Sequence, residues 1–335
     1  MKLLPLSLFG LQCLKVIAAI HDCNIHSIQH FLANNEAATV TFAEVLQANS
    51  TFGGGAADLE FPVNDTGLPP LCVVTVNVRS SNISSYNFGL FLPNEWNYRF
   101  IATGNGAYAG GINWNDMGTN VRYGFASMST DTGHISTSFD GSWALDNPEA
   151  QLDWGYRSMH GSVVLSKVIT NAYYKHNVKY SYYTGCSTGG RQGFRDIELY
   201  PEDFDGILAG APAWWTTHLQ PDNVQVALHN LPVDAPTHIP SSLFPVIGAE
   251  VLRQCDPQDG FTDGISDPEG CNFVPETLLC TSTSNKSSCL NGAQLDTLYH
   301  FYNDWWETNQ TFVFPYYELG SEAQYGFLLN SKFFF

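Results

Sequence analysis

Between Leu71 and Gly104 apolar residues recur at every second position. Cys72, Val74, Val76 and Val78 fall on one face of such a segment, and Tyr86, Phe88, Leu90 and Leu92 do the same in the next. Arg99-Phe100-Ile101-Ala102 then runs into a glycine-rich turn. A period of two marks the strands of a sheet. From Leu152 the spacing changes. Leu152, Tyr156, Met159 and Val163, continued by Leu165, Val168, Ile169 and Ala172, follow a helical repeat. A short strand is expected from Val178 to Tyr183, then a tight turn, then a helix whose apolar positions include Phe194 and Ile197. Asp205 to Gly210 reads as another buried strand. Strands alternating with helices predict an α/β sheet covered on both faces. From Pro212 the texture turns to proline, serine, cysteine and aromatic clusters with weak periodicity. A boundary is therefore placed near residue 215, with a sheet domain over 20–214 and an inserted, lid-like domain over 215–335.

The first 19 residues break this pattern. Met1-Lys2 supplies a positive end, an apolar run follows, and small Ala18-Ala19 close it, as in a cleavable export signal. No apolar stretch is long enough to span a bilayer. Acceptor sequons at Asn49, Asn64, Asn82, Asn285 and Asn309 agree with a secreted, extracellular protein. The 335 residues carry 32 acidic against 14 basic side chains, a formal charge of −18. Such a surface repels phosphate backbones, which argues against nucleic acid as a partner.

Export makes the cysteines informative, because an oxidising compartment pairs them. Cys13 would leave with the signal, and seven remain. Cys255 and Cys271 are close enough in sequence to pair, as are Cys280 and Cys289. Cys23 and Cys72 form the remaining couple, and Cys186 is left over.

Cys186 stands inside the strongest chemical signal. Gly185-Cys186-Ser187-Thr188-Gly189 matches G-x-S-x-G between an expected strand and an expected helix. Its glycines permit a sharp turn that lifts the serine hydroxyl clear of the sheet. Ser187 is therefore the candidate nucleophile, and the Thr188 amide at the helix start is one candidate oxyanion donor. A second donor is expected from the glycine-rich loop Gly104 to Gly111, around Gly106. Asp131-Thr-Gly-His134 reads as a hydrogen-bonding brace, since this fold places its acid and histidine after the serine.

Asp256, Asp259 and Asp263, with Asp267 beyond them, crowd a glycine-containing loop flanked by Cys255 and Cys271. Carboxylates held this close repel one another unless a cation neutralises them, and hard oxygen donors favour Ca²⁺. The loop is not an EF-hand, because Phe261 stands where that motif requires glycine. Aromatics near and beyond the boundary (Trp214, Trp215, Phe261, Trp305, Trp306) offer stacking surface, with core packing the expected role for most.

Taken together, Leu92-Pro93, Glu95-Trp96-Asn97, Gly104-Asn-Gly106, Asp131-Thr-Gly-His134, Gly185 to Gly193 and Tyr200 to Gly206 resemble the fungal tannase and feruloyl esterase family. The resemblance implies an α/β-hydrolase fold with a calcium-binding lid, and hydrolysis of phenolic-acid esters. It puts the nucleophile on Ser187. It puts calcium on the side chains of Asp256, Asp259 and Asp263 and on the carbonyls of Phe261 and Ile265. In the family, the cysteine matching Cys186 bridges to a cysteine directly after the catalytic histidine. None of His218, His229, His238 or His300 precedes a cysteine, so the catalytic Asp and His are expected beyond residue 335 in an otherwise C-terminally truncated hydrolase. The leading expectation is thus a secreted serine esterase acting on feruloyl or galloyl esters, feruloyl being favoured. The alternatives are an inactive calcium-binding protein with a phenolic-binding surface, and a fragment without a stable fold.

Overall fold

The computed structural model describes residues 23–328 apart from 267–269 and 284, and the export-signal segment and Asp267 lie outside that range. The chain divides into two compact units between Trp214 and Trp215. In the first, the elements are α1 (Ile25–Phe31), β1 (Ala38–Leu46), β2 (Ser50–Phe52), β3 (Asp65–Leu68), β4 (Leu71–Arg79), β5 (Ser85–Pro93) and β6 (Arg99–Thr103). They continue as α2 (Trp114–Val121), β7 (Ala126–Thr130), α3 (Pro148–Leu152), α4 (Ser158–Tyr174), β8 (Tyr180–Cys186), α5 (Thr188–Leu199) and β9 (Gly206–Gly210).

Seven of these strands form one mixed sheet in the order β1-β4-β5-β7-β6-β8-β9. The pairs from β1 to β7 are antiparallel, and those from β7 to β9 are parallel. The alternation along β4 sorts its side chains between two cores. Cys72, Val74, Val76 and Val78 join α1 and α4 on one face, while Leu71 and Val73 join Phe91 and the α2 residues Trp114, Met117 and Val121 on the other. Burial on both faces is what parallel and central strands require.

Two apolar signals point the other way from expectation. The strand over 206–210 is an edge strand among the described residues, and its Leu208 is 69% exposed. Phe194 and Ile197 lie on the outward face of α5, at 43% and 48% exposed. The face of α5 turned to the sheet is instead Gly189, Gly190, Gln192, Gly193 and Asp196. Glycine lets the two backbones approach closely, so the apolar stripe is left outside.

The second unit holds α6 (Thr216–His229), α7 (Phe244–Cys255), α8 (Gly292–Phe301), a hairpin of β10 (Trp305–Trp306) and β11 (Phe312–Phe314), and α9 (Glu322–Leu328). Its own core gathers Ile247, Val251, Leu298, Phe301 and Tyr325. The core role expected for the aromatics near and beyond the boundary fails for most of them. Trp214, Trp215, Phe261 and Trp306 are 63%, 43%, 70% and 52% exposed. They occupy a unit end, a helix cap, the acidic loop and the hairpin, and among the described residues they are only partly covered, Trp215 by His218 and Trp306 by Phe312. Disulfides join Cys23 to Cys72, Cys255 to Cys271 and Cys280 to Cys289, and Cys186 is free and exposed.

Candidate active site

Strand β6 lies between β7 and β8, and all three are parallel. Their carboxyl ends therefore release three loops side by side: 104–111 after β6, 131–138 after β7 and the serine turn after β8. Ligand sites in open parallel sheets form at such strand ends.

Ser187 closes β8 and caps α5 with φ 59° and ψ −117°. A side chain in the left-handed region is strained and must be held by its surroundings. The Ser187 N–H donates to the Gly210 carbonyl at 3.0 Å, and its carbonyl accepts from Arg191 at 3.0 Å and Ala213 at 2.9 Å. Those bonds fix the turn and leave the side chain exposed. The amides of α5's first turn, Thr188 among them, have no helical partner and can serve an anion.

The loop over 104–111 is bound to α5 at close range. A Cβ on Gly104 would sit 2.7 Å from the Gly189 Cα, so only glycine admits this contact. Buried Gln192 of α5 completes it: its Oε1 accepts the Asn105 N–H at 3.0 Å, and its Nε2 donates to Asn105 Oδ1 at 3.1 Å. Asn105 Nδ2 donates in turn to the Gly111 and Thr130 carbonyls, at 3.0 and 2.9 Å. The Thr188 hydroxyl donates to the Ala107 carbonyl at 2.7 Å. Among the described residues the N–H groups of Gly106 and Ala107 make no backbone hydrogen bond. Two donor-rich segments, one from β6 and one from α5, thus flank the serine turn.

Asp131 accepts from the Asn87 and Gly133 N–H groups, each at 2.8 Å, and from Asn87 Nδ2 at 2.7 Å. Burial nevertheless pushes its carboxyl up to about 6. It ties β7 to β5. His160 pairs with Asp203 at 2.7 Å and stacks on Tyr200 at 3.5 Å. Tyr200 follows the far end of α5, roughly 18 Å along a 12-residue helix from Ser187 at 1.5 Å per residue, so this pair stands away from Ser187. In the second unit, His218 Nδ1 meets the Val313 carbonyl at 2.7 Å, His238 Nδ1 meets the Asn230 carbonyl at 2.6 Å, and His229 stacks on His300 at 3.7 Å.

The acidic loop is organised by its own backbone. Asp256 Oδ1 accepts from Asp263 at 2.9 Å and Gly264 at 3.1 Å, Asp259 Oδ1 from Phe261 at 2.8 Å, and Asp263 Oδ1 from Ile265 at 3.1 Å. Among the described residues no three His, Cys, Asp or Glu side chains converge as a metal site. The donor chemistry, carboxylate and carbonyl oxygen on a disulfide-closed loop, is of the kind that suits a hard cation.

Sequence reasoning passed over Gln192, although it lies within the glycine-rich motif after the serine. A polar residue on the sheet-facing side of α5 was the available signal. Asp196, one turn further along that face, is buried with Oδ2 lacking a hydrogen-bond partner among the described residues. Burial, then the neighbouring Asp203 charge, pushes its carboxyl up to about 7.

The family model described as "Tannase and feruloyl esterase" matches residues 72–324. The chain is 38% identical over 262 residues to the probable feruloyl esterase B-1 of Neosartorya fischeri, covering 78% of this chain and 50% of that protein. It is 37% identical over 259 residues to the probable feruloyl esterase B of Aspergillus niger, covering 77% and 49%. Among solved structures, feruloyl esterase B from Aspergillus oryzae superposes with a TM-score of 0.79 at 32% identity, over 89% of this chain and 60% of that one. Tannin acyl hydrolase from Aspergillus niger shares the fold, with a TM-score of 0.67 at 19% identity, over 90% and 60%. The chain spans about half the length of the curated relatives it matches.

Proposed function

The chain belongs to the tannase and feruloyl esterase family, and from that premise we propose that it is the nucleophile-bearing part of a secreted serine esterase acting on esters of phenolic acids. Feruloyl esters are the favoured class, because the curated relatives at 37–38% identity are named feruloyl esterases. The observation that carries the reading is Ser187, held at positive φ between β8 and α5 beside the donor-rich loop after β6.

The Ser187 oxygen attacks the ester carbonyl carbon while a base takes the hydroxyl proton. The N–H groups of Thr188 and of the Gly106 region receive the negative charge that develops on the carbonyl oxygen. Collapse expels the alcohol, which regains the proton, and water then releases the phenolic acid from Ser187. The base and its acid are assigned to the part of the family's length that this chain does not span. The acidic loop is proposed to take one structural Ca²⁺ through Asp256, Asp259 and Asp263 and the carbonyls of Phe261 and Ile265. When bound, the ion would neutralise that loop.

The test is hydrolysis of methyl ferulate and methyl gallate by the full-length protein, by its Ser187→Ala variant and by these 335 residues alone. Ferulate turnover by the full-length protein, lost in Ser187→Ala and negligible for the shorter chain, is the expected result. Turnover indifferent to Ser187 would sink the proposal. A melting midpoint unchanged by chelation, with no metal detected, would remove calcium from it.

A further inference from the structure

The carbonyl of Tyr108 is served by three side-chain donors. His134 Nε2 lies 3.0 Å from it, Ser136 Oγ 3.1 Å and Trp143 Nε1 3.1 Å. A carbonyl offers two lone pairs and only accepts, so His134 is the tautomer that carries its proton on Nε2. Its ring is stacked on Trp143 at 3.9 Å. Burial holds the imidazole below its ordinary value and so favours its neutral form. The backbone of His134 is locked as well: a Cβ on Gly110 would lie 2.0 Å from the His134 carbonyl oxygen, so only glycine lets the two loops touch.

This convergence falls on the strained part of the donor loop. Ala107 has φ 43°, a conformation a side chain adopts only when the surroundings impose it. The carbonyls around it are all held: Gly106 O by the Ala109 N–H at 3.0 Å, Ala107 O by the Thr188 hydroxyl and Tyr108 O by the three donors. Peptide C=O and N–H groups point in opposite directions. Because each unit joins one residue's C=O to the next residue's N–H, the held Tyr108 carbonyl aims the Ala109 N–H at the Gly106 carbonyl, and the held Gly106 carbonyl in turn points the Ala107 N–H the other way.

We infer that His134 is a positioning residue for the oxyanion site: through the Tyr108 carbonyl and the Ala109–Gly106 bond it holds the strained turn in the orientation that presents the Ala107 N–H. This rests on the esterase reading of Ser187. His134 touches no reacting atom and moves no proton. Its contribution is greatest where charge develops on the substrate oxygen, in the transition state rather than on binding.

The experiment compares His134→Ala, His134→Gln, Ser136→Ala and Trp143→Phe in the full-length protein, with methyl ferulate as substrate and melting midpoints measured alongside. His134→Ala should lower kcat about 10- to 100-fold, as small displacements of catalytic geometry do, with KM little changed. His134→Gln, whose amide can donate to the same carbonyl, should recover most of it. Ser136→Ala and Trp143→Phe, which each remove one donor, should give smaller losses in kcat and keep the answer available if His134→Ala does not fold. Nitrogen NMR of the wild-type imidazole should show a protonated Nε2 and a bare Nδ1. The inference is overturned by an unchanged kcat, by a loss confined to KM, by a glutamine variant no better than alanine, or by a proton on Nδ1. An inactive wild type would overturn the esterase reading, and this inference with it.

Discussion

Helices α4 and α5 cover neighbouring parts of one face of the same sheet and are built on opposite principles. The buried side of α4 is mostly apolar, with Met159, Val163, Ile169 and Tyr173 filling the large core. The buried side of α5 is glycine, Gln192 and Asp196, and its large apolar residues look outward. The first helix stands off the sheet by the length of its side chains, and its contribution is hydrophobic. The second lies against the donor loop with backbone touching backbone, and its contribution is directional hydrogen bonding. On the proposed esterase reading of Ser187, α5 needs the second arrangement, because charge is stabilised by donors at fixed positions and not by contact area.

Four substitutions sharpen or break the contrast. The largest effect belongs to α4. Ile169→Ala should cost about 2–5 kcal/mol in urea unfolding, the range for emptying a packed site, whereas Ile197→Ala on α5 should stay within about 0.5 kcal/mol. Equal costs would erase the distinction. Next is Gln192→Leu, which leaves the Asn105 N–H and Oδ1 buried without these partners and should cost about 1–3 kcal/mol. In the full-length protein it should also lower kcat more than it raises KM. A stable variant with unchanged kcat would show the pair to be incidental. The smallest is Asp196→Asn, which acts through pH.

The sign for Asp196 follows from its surroundings. The carboxyl rises from 3.8 to about 7 in the fold, through burial first and the Asp203 charge second, with His160 and Arg191 opposing. A raised value favours the folded state most below 3.8, and that advantage is lost as pH rises through about 7. Wild-type melting midpoints should therefore fall between pH 5 and pH 8. Asp196→Asn should match wild type only below about pH 3.8, with a lead that grows as pH rises toward about 7 and amounts to several degrees at pH 8. A variant with the same pH slope as wild type would refute the assignment.

What the sequence disclosed, and what it did not, divides along similar lines. Strands β4 and β5 were legible because a period of two has one physical cause, and they pair in register from Leu71 with Pro93 to Arg79 with Ser85. The turn between β8 and α5 was legible because its glycines and Ser187 are adjacent in sequence. Phe194, Ile197 and Leu208 misled, since an apolar residue reports a buried face only where side chains do the packing. The Asn105–Gln192 pair was illegible for another reason. Its members stand 87 positions apart, and no local pattern announces a polar group satisfied at that distance. The exposed tryptophans belong to the same class: composition says what they can stack on, while only the fold says what covers them.

The strand order has a consequence for the time course of synthesis. Because β7 sits between β5 and β6, and β8 closes the other side of β6, the strand over 99–103 has one open edge until residues beyond 180 exist. The Asn105 N–H waits longer still, for residue 192. On a growing chain these groups are served by water through every intermediate length, while the antiparallel hairpin of β4 and β5 can close at once. Contacts of such separation form late, because loop closure must precede them. The scaffold is thus available to fold early from neighbouring sequence, and the corner around Ser187 is completed only when α5 has emerged to hold it.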